Sequence, residues 1–183
     1  AIRQALASDP LSPVLYGFAV GLHAACGRGD EALSDFRRAV DLAPGFGLPY
    51  FHAAIAYTAL GRLDEAADVV ASGLRQGLTV FWADCILGIV RAKQGRRDEA
   101  AAILARMTEQ HRRATVSCAS IAWVAASLGD FDMAFSWLDR GYEERDGLMA
   151  WVHVYTDIFA PALARAPRFR AVLERMRLTD VAT

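Results

Sequence analysis

The chain lacks most of the features that mark a charged surface, a membrane segment or a chemical centre. Lysine and arginine total 20 against 21 aspartates and glutamates, a formal net charge of −1, so no global field draws it to nucleic acid or to an acidic membrane surface. Apolar runs such as Val116 to Leu128 are too short to span a bilayer and are interrupted by Ser and Cys. No secretory signal is visible. The three cysteines, Cys26, Cys85 and Cys118, cannot all pair, and none sits in a Cys-x-x-Cys or Cys/His spacing that suggests zinc. They read as small buried residues in a reducing cytoplasm.

Enzyme signatures are missing as well. There is no phosphate-cradling Gly-rich loop ending in Lys-Ser/Thr, no Gly-x-Ser-x-Gly and no His-Glu-x-x-His. His23, His52, His111 and His153 are scattered, and no pair has metal-ligand spacing on one helix. Glu143-Glu144 and Asp157 can be drawn as paired carboxylates, but Glu-Glu-Arg-Asp reads more simply as a solvated helix end. The expectation is a non-catalytic chain with no metal and no cofactor.

What is present is hydrophobic mass and a period. With 183 residues and 54% hydrophobic content, the chain can bury roughly 70% of its unfolded surface and is expected to form one folded unit. A Gly is followed three residues later by Asp and five later by Ala at Gly27-Asp30-Ala32, Gly61-Asp64-Ala66, Gly95-Asp98-Ala100 and Gly129-Asp132-Ala134, and the copies recur every 34 residues. Gly takes the left-handed conformation that closes a helix. Asp is a good N-cap for the next one. Ala, facing Ala54, Gly88 and Ala122 but also the larger Val20, lets two helices approach closely.

This spacing predicts first helices over Ser12–Cys26, Leu48–Leu60, Val80–Gln94 and Thr115–Leu128, with second helices starting near Asp30, Asp64, Asp98 and Asp132. A period of 34 residues is that of the tetratricopeptide helix-turn-helix unit. Tyr16…Ala32…Phe36…Ala39…Pro44 and Tyr50…Ala53-Ala54…Tyr57…Gly61…Ala66 resemble its pattern of an aromatic, a small pair, a second aromatic and a closing Pro. Later units drift: Leu78 stands in place of the Pro, Asp84 and Arg91 in place of the aromatics, and Gly73 and Gly141 at the late small position.

The resemblance implies an all-α right-handed superhelical solenoid. Its parts are the second half of a preceding repeat in 1–12, four repeats in 13–46, 47–80, 81–114 and 115–148, and a C-terminal capping segment in 149–183. Leu148, Met149, Trp151 and Val152 suit a cap over the last unit. Tyr142-Glu143-Glu144-Arg145-Asp146 followed by Pro167-Arg168-Phe169 is similar to the ending of tetratricopeptide arrays in bacterial winged-helix transcriptional regulators, class III adenylate cyclases and serine/threonine kinases. It implies the C-terminal part of a cytoplasmic signalling or transcription-control protein whose output domain lies before Ala1.

First-helix positions 2, 5, 9 and 12 share a face that lines the concave groove of such a superhelix. They are Val14, Gly17, Gly21 and Ala24; Leu48, Phe51, Ile55 and Thr58; Trp82, Cys85, Ile89 and Ala92; and Val116, Ala119, Trp123 and Ala126. None is Lys, Asn or Arg, which excludes a clamp for a terminal carboxylate. An apolar groove suits an amphipathic helix or peptide, with Leu48, Phe51, Ile55, Trp82, Ile89 and Trp123 as anchors. A small apolar ligand, a second copy or the chain's own tail are the alternative occupants, and the output domain is a further partner. Basic residues gather from Arg91 to Arg113, but Asp98, Glu99 and Glu109 lie among them. That reads as a solvated helical face rather than a nucleic-acid site.

Overall fold

A computed structural model describes residues 2–113 and 116–179. Its described residues form an all-α repeat fold, with twelve α-helices, one 3-10 helix and no strand. They are α1 (Ile2–Ser8), α2 (Pro13–Ala25), α3 (Gly29–Leu42), α4 (Gly47–Ala59), α5 (Leu63–Arg75), α6 (Val80–Lys93), α7 (Arg97–His111), α8 (Cys118–Ser127), α9 (Phe131–Glu143), the 3-10 helix (Gly147–Trp151), α10 (Val152–Phe159), α11 (Pro161–Ala164) and α12 (Pro167–Met176). The second helices α3, α5, α7 and α9 keep the 34-residue spacing at both their starts and the turns before them.

Those turns explain the repeated glycine. Gly27, Gly61, Gly95 and Gly129 have φ of 70°, 71°, 77° and 85°. In each, the Gly N–H and the next N–H fold back onto the closing turn, as in Gly27 to the Ala24 carbonyl (3.1 Å) and Arg28 to the His23 carbonyl (2.8 Å). This double closure satisfies carbonyls that the helix end would otherwise leave open. Ala32, Ala66, Ala100 and Ala134 are fully buried, as are Val20, Ala54 and Ala122.

The aspartates do not cap as expected. Asp30, Asp64 and Asp98 sit inside the first turn, and the N-cap positions are Arg28, Arg62 and Arg96, which make no side-chain cap hydrogen bond. Each Arg instead pairs with the Glu three residues on: Arg28 with Glu31 (3.3 Å), Arg62 with Glu65 (2.9 Å) and Arg96 with Glu99 (2.6 Å). The acids still meet the positive end of the helix. Only the last repeat caps by side chain, and with Asp130 rather than Asp132: its carboxylate accepts from Met133 N–H at 2.9 Å. Asp130 stands where the earlier copies have Arg, and Met133 where they have Glu.

Contacts divide the chain into two compact units, Ala1–Ile86 and Leu87–Thr183, rather than one, and the boundary falls inside α6. Repeat hairpins bury their apolar faces chiefly against adjacent elements, which lets each unit hold a core of its own. In the first unit α2 packs on α3 and α4, and α4 packs on α3 and α5; α1 buries no residue. In the second, α8 packs on α7, α9, the 3-10 helix and α10, while α12 lies against α9. Met149 and Val152 are buried there, whereas Trp151 stays exposed, stacked on Tyr155.

Helix α8 begins at Cys118, later than expected; Thr115 lies outside the described residues. The start is fixed from the tail. The Ser117 hydroxyl donates to the Asp146 carboxylate, and so does Ala119 N–H, at 3.2 Å.

Candidate functional site

The first unit carries a row of rings across three helices. Phe18 of α2, His52 and Phe51 of α4, and Trp82 and Phe81 of α6 follow one another with centroid separations of 6.2, 5.3, 4.2 and 4.7 Å. Neighbouring rings at such distances and tilts attract beyond simple burial. The row is open at both ends: Phe18 is exposed, and Phe81 and Trp82 are half-buried.

His52 keeps the row uncharged. Its Nδ1–H donates to the Gly17 carbonyl at 2.7 Å, and burial pulls its pKa down to about 4, a fall only partly countered by that hydrogen bond. Gly21 makes room for it, since a Cβ there would lie 2.9 Å from the imidazole. Beside the row, Phe46, Leu48, Phe51, Leu78 and Trp82, with the backbone of Gly47 and Gly77, line a cleft of about 250 Å³. Along α2, Val14, Phe18 and Leu22 form an exposed apolar stripe, 45%, 41% and 40% accessible, and Leu11 in the turn before the helix is 65% accessible. The four-residue spacing of Val14, Phe18 and Leu22 puts those three on one face.

Of the six anchors read from sequence, Leu48, Phe51 and Trp82 therefore meet at the cleft. Ile55 is fully buried in α4, and Ile89 is fully buried in the second unit. Trp123 is enclosed too. Its indole N–H donates to the Thr156 hydroxyl of α10 at 2.8 Å, and its ring packs edge-on against Phe159 (5.2 Å) and Tyr155 (6.2 Å). In the second unit α10 of the tail thus covers Trp123. Phe18 and His52 were missed because they fall outside the four groove positions; the i, i+4 run Val14-Phe18-Leu22 was the available signal.

A second constellation joins three helix ends of the second unit. His111 at the end of α7, Cys118 at the start of α8 and Glu144 at the C-cap of α9 bring one donor atom each within 4.8 Å of one another. Burial, with Glu144 and Asp146 nearby, pushes the Cys118 thiol up to about 12, so it is protonated and no nucleophile by itself. Arg140 holds the Glu144 carboxyl below the usual carboxylate range. No linear spacing announced this cluster, because its members come from three helices.

Five arginines of the basic stretch are engaged. Arg91 and Arg96 meet Glu99, Arg112 and Arg113 meet Glu109, and Arg97 donates to the Leu128 carbonyl. Among the described residues, no helix is long and apolar enough to cross a membrane.

Comparison with known proteins agrees with this architecture. A model of the tetratricopeptide repeat matches residues 48–72 and 82–106. No curated protein sequence matches the chain. Among solved structures, PilW, a widely conserved type IV pilus biogenesis factor, is 21% identical with a TM-score of 0.57, covering 100% of this chain and 84% of its own. YrrB, described as a TPR protein with an unusual peptide-binding site, is 20% identical with a TM-score of 0.53, covering 98% and 93%. At these identities the likeness concerns the fold.

Proposed function

We propose that the chain is a non-catalytic protein–protein interaction and regulatory module that takes an apolar helix or peptide on the aromatic row of its first unit. The observation that carries this reading is the open row itself, with its cleft walled by Leu48, Phe51 and Trp82. Trp and Phe bury large areas with few rotors, which makes them effective anchors. The groove-facing positions offer no basic residue to a terminal carboxylate, so the partner is recognised by an apolar face. The tetratricopeptide repeat match, and the peptide-binding site named for YrrB, support the same class of function.

The finer reading places this module in the cytoplasm, as the C-terminal part of a bacterial signalling or transcription-control protein. It rests on the resemblance of Tyr142–Asp146 and Pro167–Phe169 to the ends of such arrays. Partner binding would then bias the assembly of an output domain. The affinity of a standard-sized transient interface is about micromolar.

A small apolar ligand is the weaker alternative, because the cleft of about 250 Å³ lies below the roughly 300 Å³ at which ligand pockets begin. A second copy seated on the α2 stripe is favoured by one feature, the three exposed apolar side chains in line. Binding of amphipathic helical peptides, followed by tryptophan fluorescence, is expected to weaken at least tenfold in Trp82→Ala and to be unchanged in Trp151→Ala. Equal binding by both variants defeats the reading. Mass that rises with concentration in ultracentrifugation, and falls back in Phe18→Ser, replaces it with self-association.

A further inference from the structure

The structure assigns His111, Cys118 and Glu144 as three ligands of a divalent transition-metal site of the zinc class, completed by water. His111 Nε2 is 3.4 Å from Glu144 Oε2 and 3.9 Å from Cys118 Sγ, and Sγ is 3.6 Å from the same Oε2. Tetrahedral bonds of about 2.0 Å to nitrogen and oxygen and about 2.3 Å to sulfur require donor separations of roughly 3.3 to 3.6 Å. The three separations thus match a tetrahedral face to within a few tenths of an ångström; Sγ also lies 4.0 Å from His111 Nδ1, beside the ring, so ligation turns the imidazole to bring its Nε2 lone pair onto the ion. A nitrogen, a thiolate and a carboxylate together suit zinc and its neighbours, not calcium or magnesium, which take oxygen donors.

The surroundings orient each donor. His111 Nδ1–H donates to the Val116 carbonyl at 2.7 Å, which fixes the tautomer that leaves Nε2 unprotonated; Trp137 packs edge-on against the ring. Arg140 Nε donates to Glu144 Oε1 at 2.6 Å and leaves Oε2 for the site. These are the outer contacts that a ligating imidazole and carboxylate need. The C-terminal ends of α7 and α9 add partial negative charge favourable to a cation. His111 and Cys118 are buried, whereas the Glu144 side chain is 42% exposed. That gives the ion a way in and water the fourth position. On binding, the Cys118 thiol releases its proton to solvent and the sulfur electron pair forms the metal bond, so one proton leaves per ion bound. The end of the third repeat and both helices of the fourth are then joined through one atom.

The full chain, freed of metal by chelation, is titrated with Co²⁺ and then with Zn²⁺. One ion per chain is expected, with a near-ultraviolet thiolate-to-cobalt absorption that Zn²⁺ displaces and that Cys118→Ser abolishes. Glu144→Gln alters an exposed carboxyl, so the fold survives, and affinity falls at least about tenfold, in the range typical of lost coordination support. Absence of the thiolate band, its persistence in Cys118→Ser (the sulfur then being Cys26 or Cys85), or unchanged affinity in Glu144→Gln overturns the assignment. Should Cys118→Ser not fold, the Glu144→Gln titration decides alone.

Discussion

Two tryptophans on first helices meet opposite fates. In the first unit Trp82 stays half-buried next to the last ring of an open aromatic row. In the second, Trp123 is sealed beneath α10, its indole N–H satisfied by Thr156. The two stand at different places in the repeat: Trp123 holds the ninth position, where Ile55 and Ile89 are also fully buried, and Trp82 the second, where Leu48 is half-buried too. Position in the hairpin thus sets how deep a ring lies, and what closes over Trp123 comes from outside the period. The non-repeating segment after Glu144 supplies Thr156 and Phe159, while in the first unit Phe18 stays exposed and Trp82 half-buried between Phe51 and Phe81.

The contrast breaks most directly by truncating both rings. Trp123→Ala is expected to cost about 3–5 kcal/mol in denaturant unfolding, the range for a large aromatic removed from a packed interior. Trp82→Ala is expected to cost about 1 kcal/mol or less, as for a partly exposed position. Equal losses would mean that the first unit's row is as much core as the second unit's. Partner binding should respond in the reverse order.

Acid sharpens the comparison. His52 has a folded pKa of about 4 against an ordinary 6.5, so the unfolded chain takes up the proton first as pH falls. Its contribution is therefore complete above pH 6.5 and is lost progressively toward pH 4, amounting to about 3 kcal/mol in all. His52→Asn, which keeps a donor for Gly17, should flatten that part of the stability profile relative to the natural chain. A profile unchanged by the substitution would show that His52 does not stay neutral in the row.

The smallest expected effect separates the last repeat from the others. Asp130→Ala removes a side-chain cap and should cost about 1 kcal/mol. Asp30→Ala removes a charge from the first turn of α3 and should cost about 0.3–1 kcal/mol at low salt, less when screened. Thermal unfolding of the two variants at low and high salt distinguishes them: the Asp30 effect fades with salt and the Asp130 effect persists.

The backbone architecture was legible because it is written in small residues. Gly27, Gly61, Gly95 and Gly129 close helices where expected, and the alanines five residues on are buried. The start of each second helix was misread by one or two positions, since the Asp-based rule overlooked the Arg-to-Glu pairing that occupies the cap in three repeats. The anchors were half legible. Periodicity placed Leu48, Phe51 and Trp82 on one face and they do gather, but it assigned Trp123 the same role, with no means of weighing a tail that carries no repeat. His111, Cys118 and Glu144 were invisible for a related reason: proximity across three helix ends leaves no linear spacing.

One carboxylate at the junction of the last hairpin and the tail has a wider reach. Asp146 accepts from Ser117 and Ala119 at the beginning of α8 through one oxygen, and from Leu148 at the beginning of the 3-10 helix through the other. A single side chain thus nucleates two helices that run away from it in different parts of the chain. Peeling the C-terminal segment from Trp123 would tug on the opening turn of α8 as well, so uncovering that ring and loosening its own helix become one event.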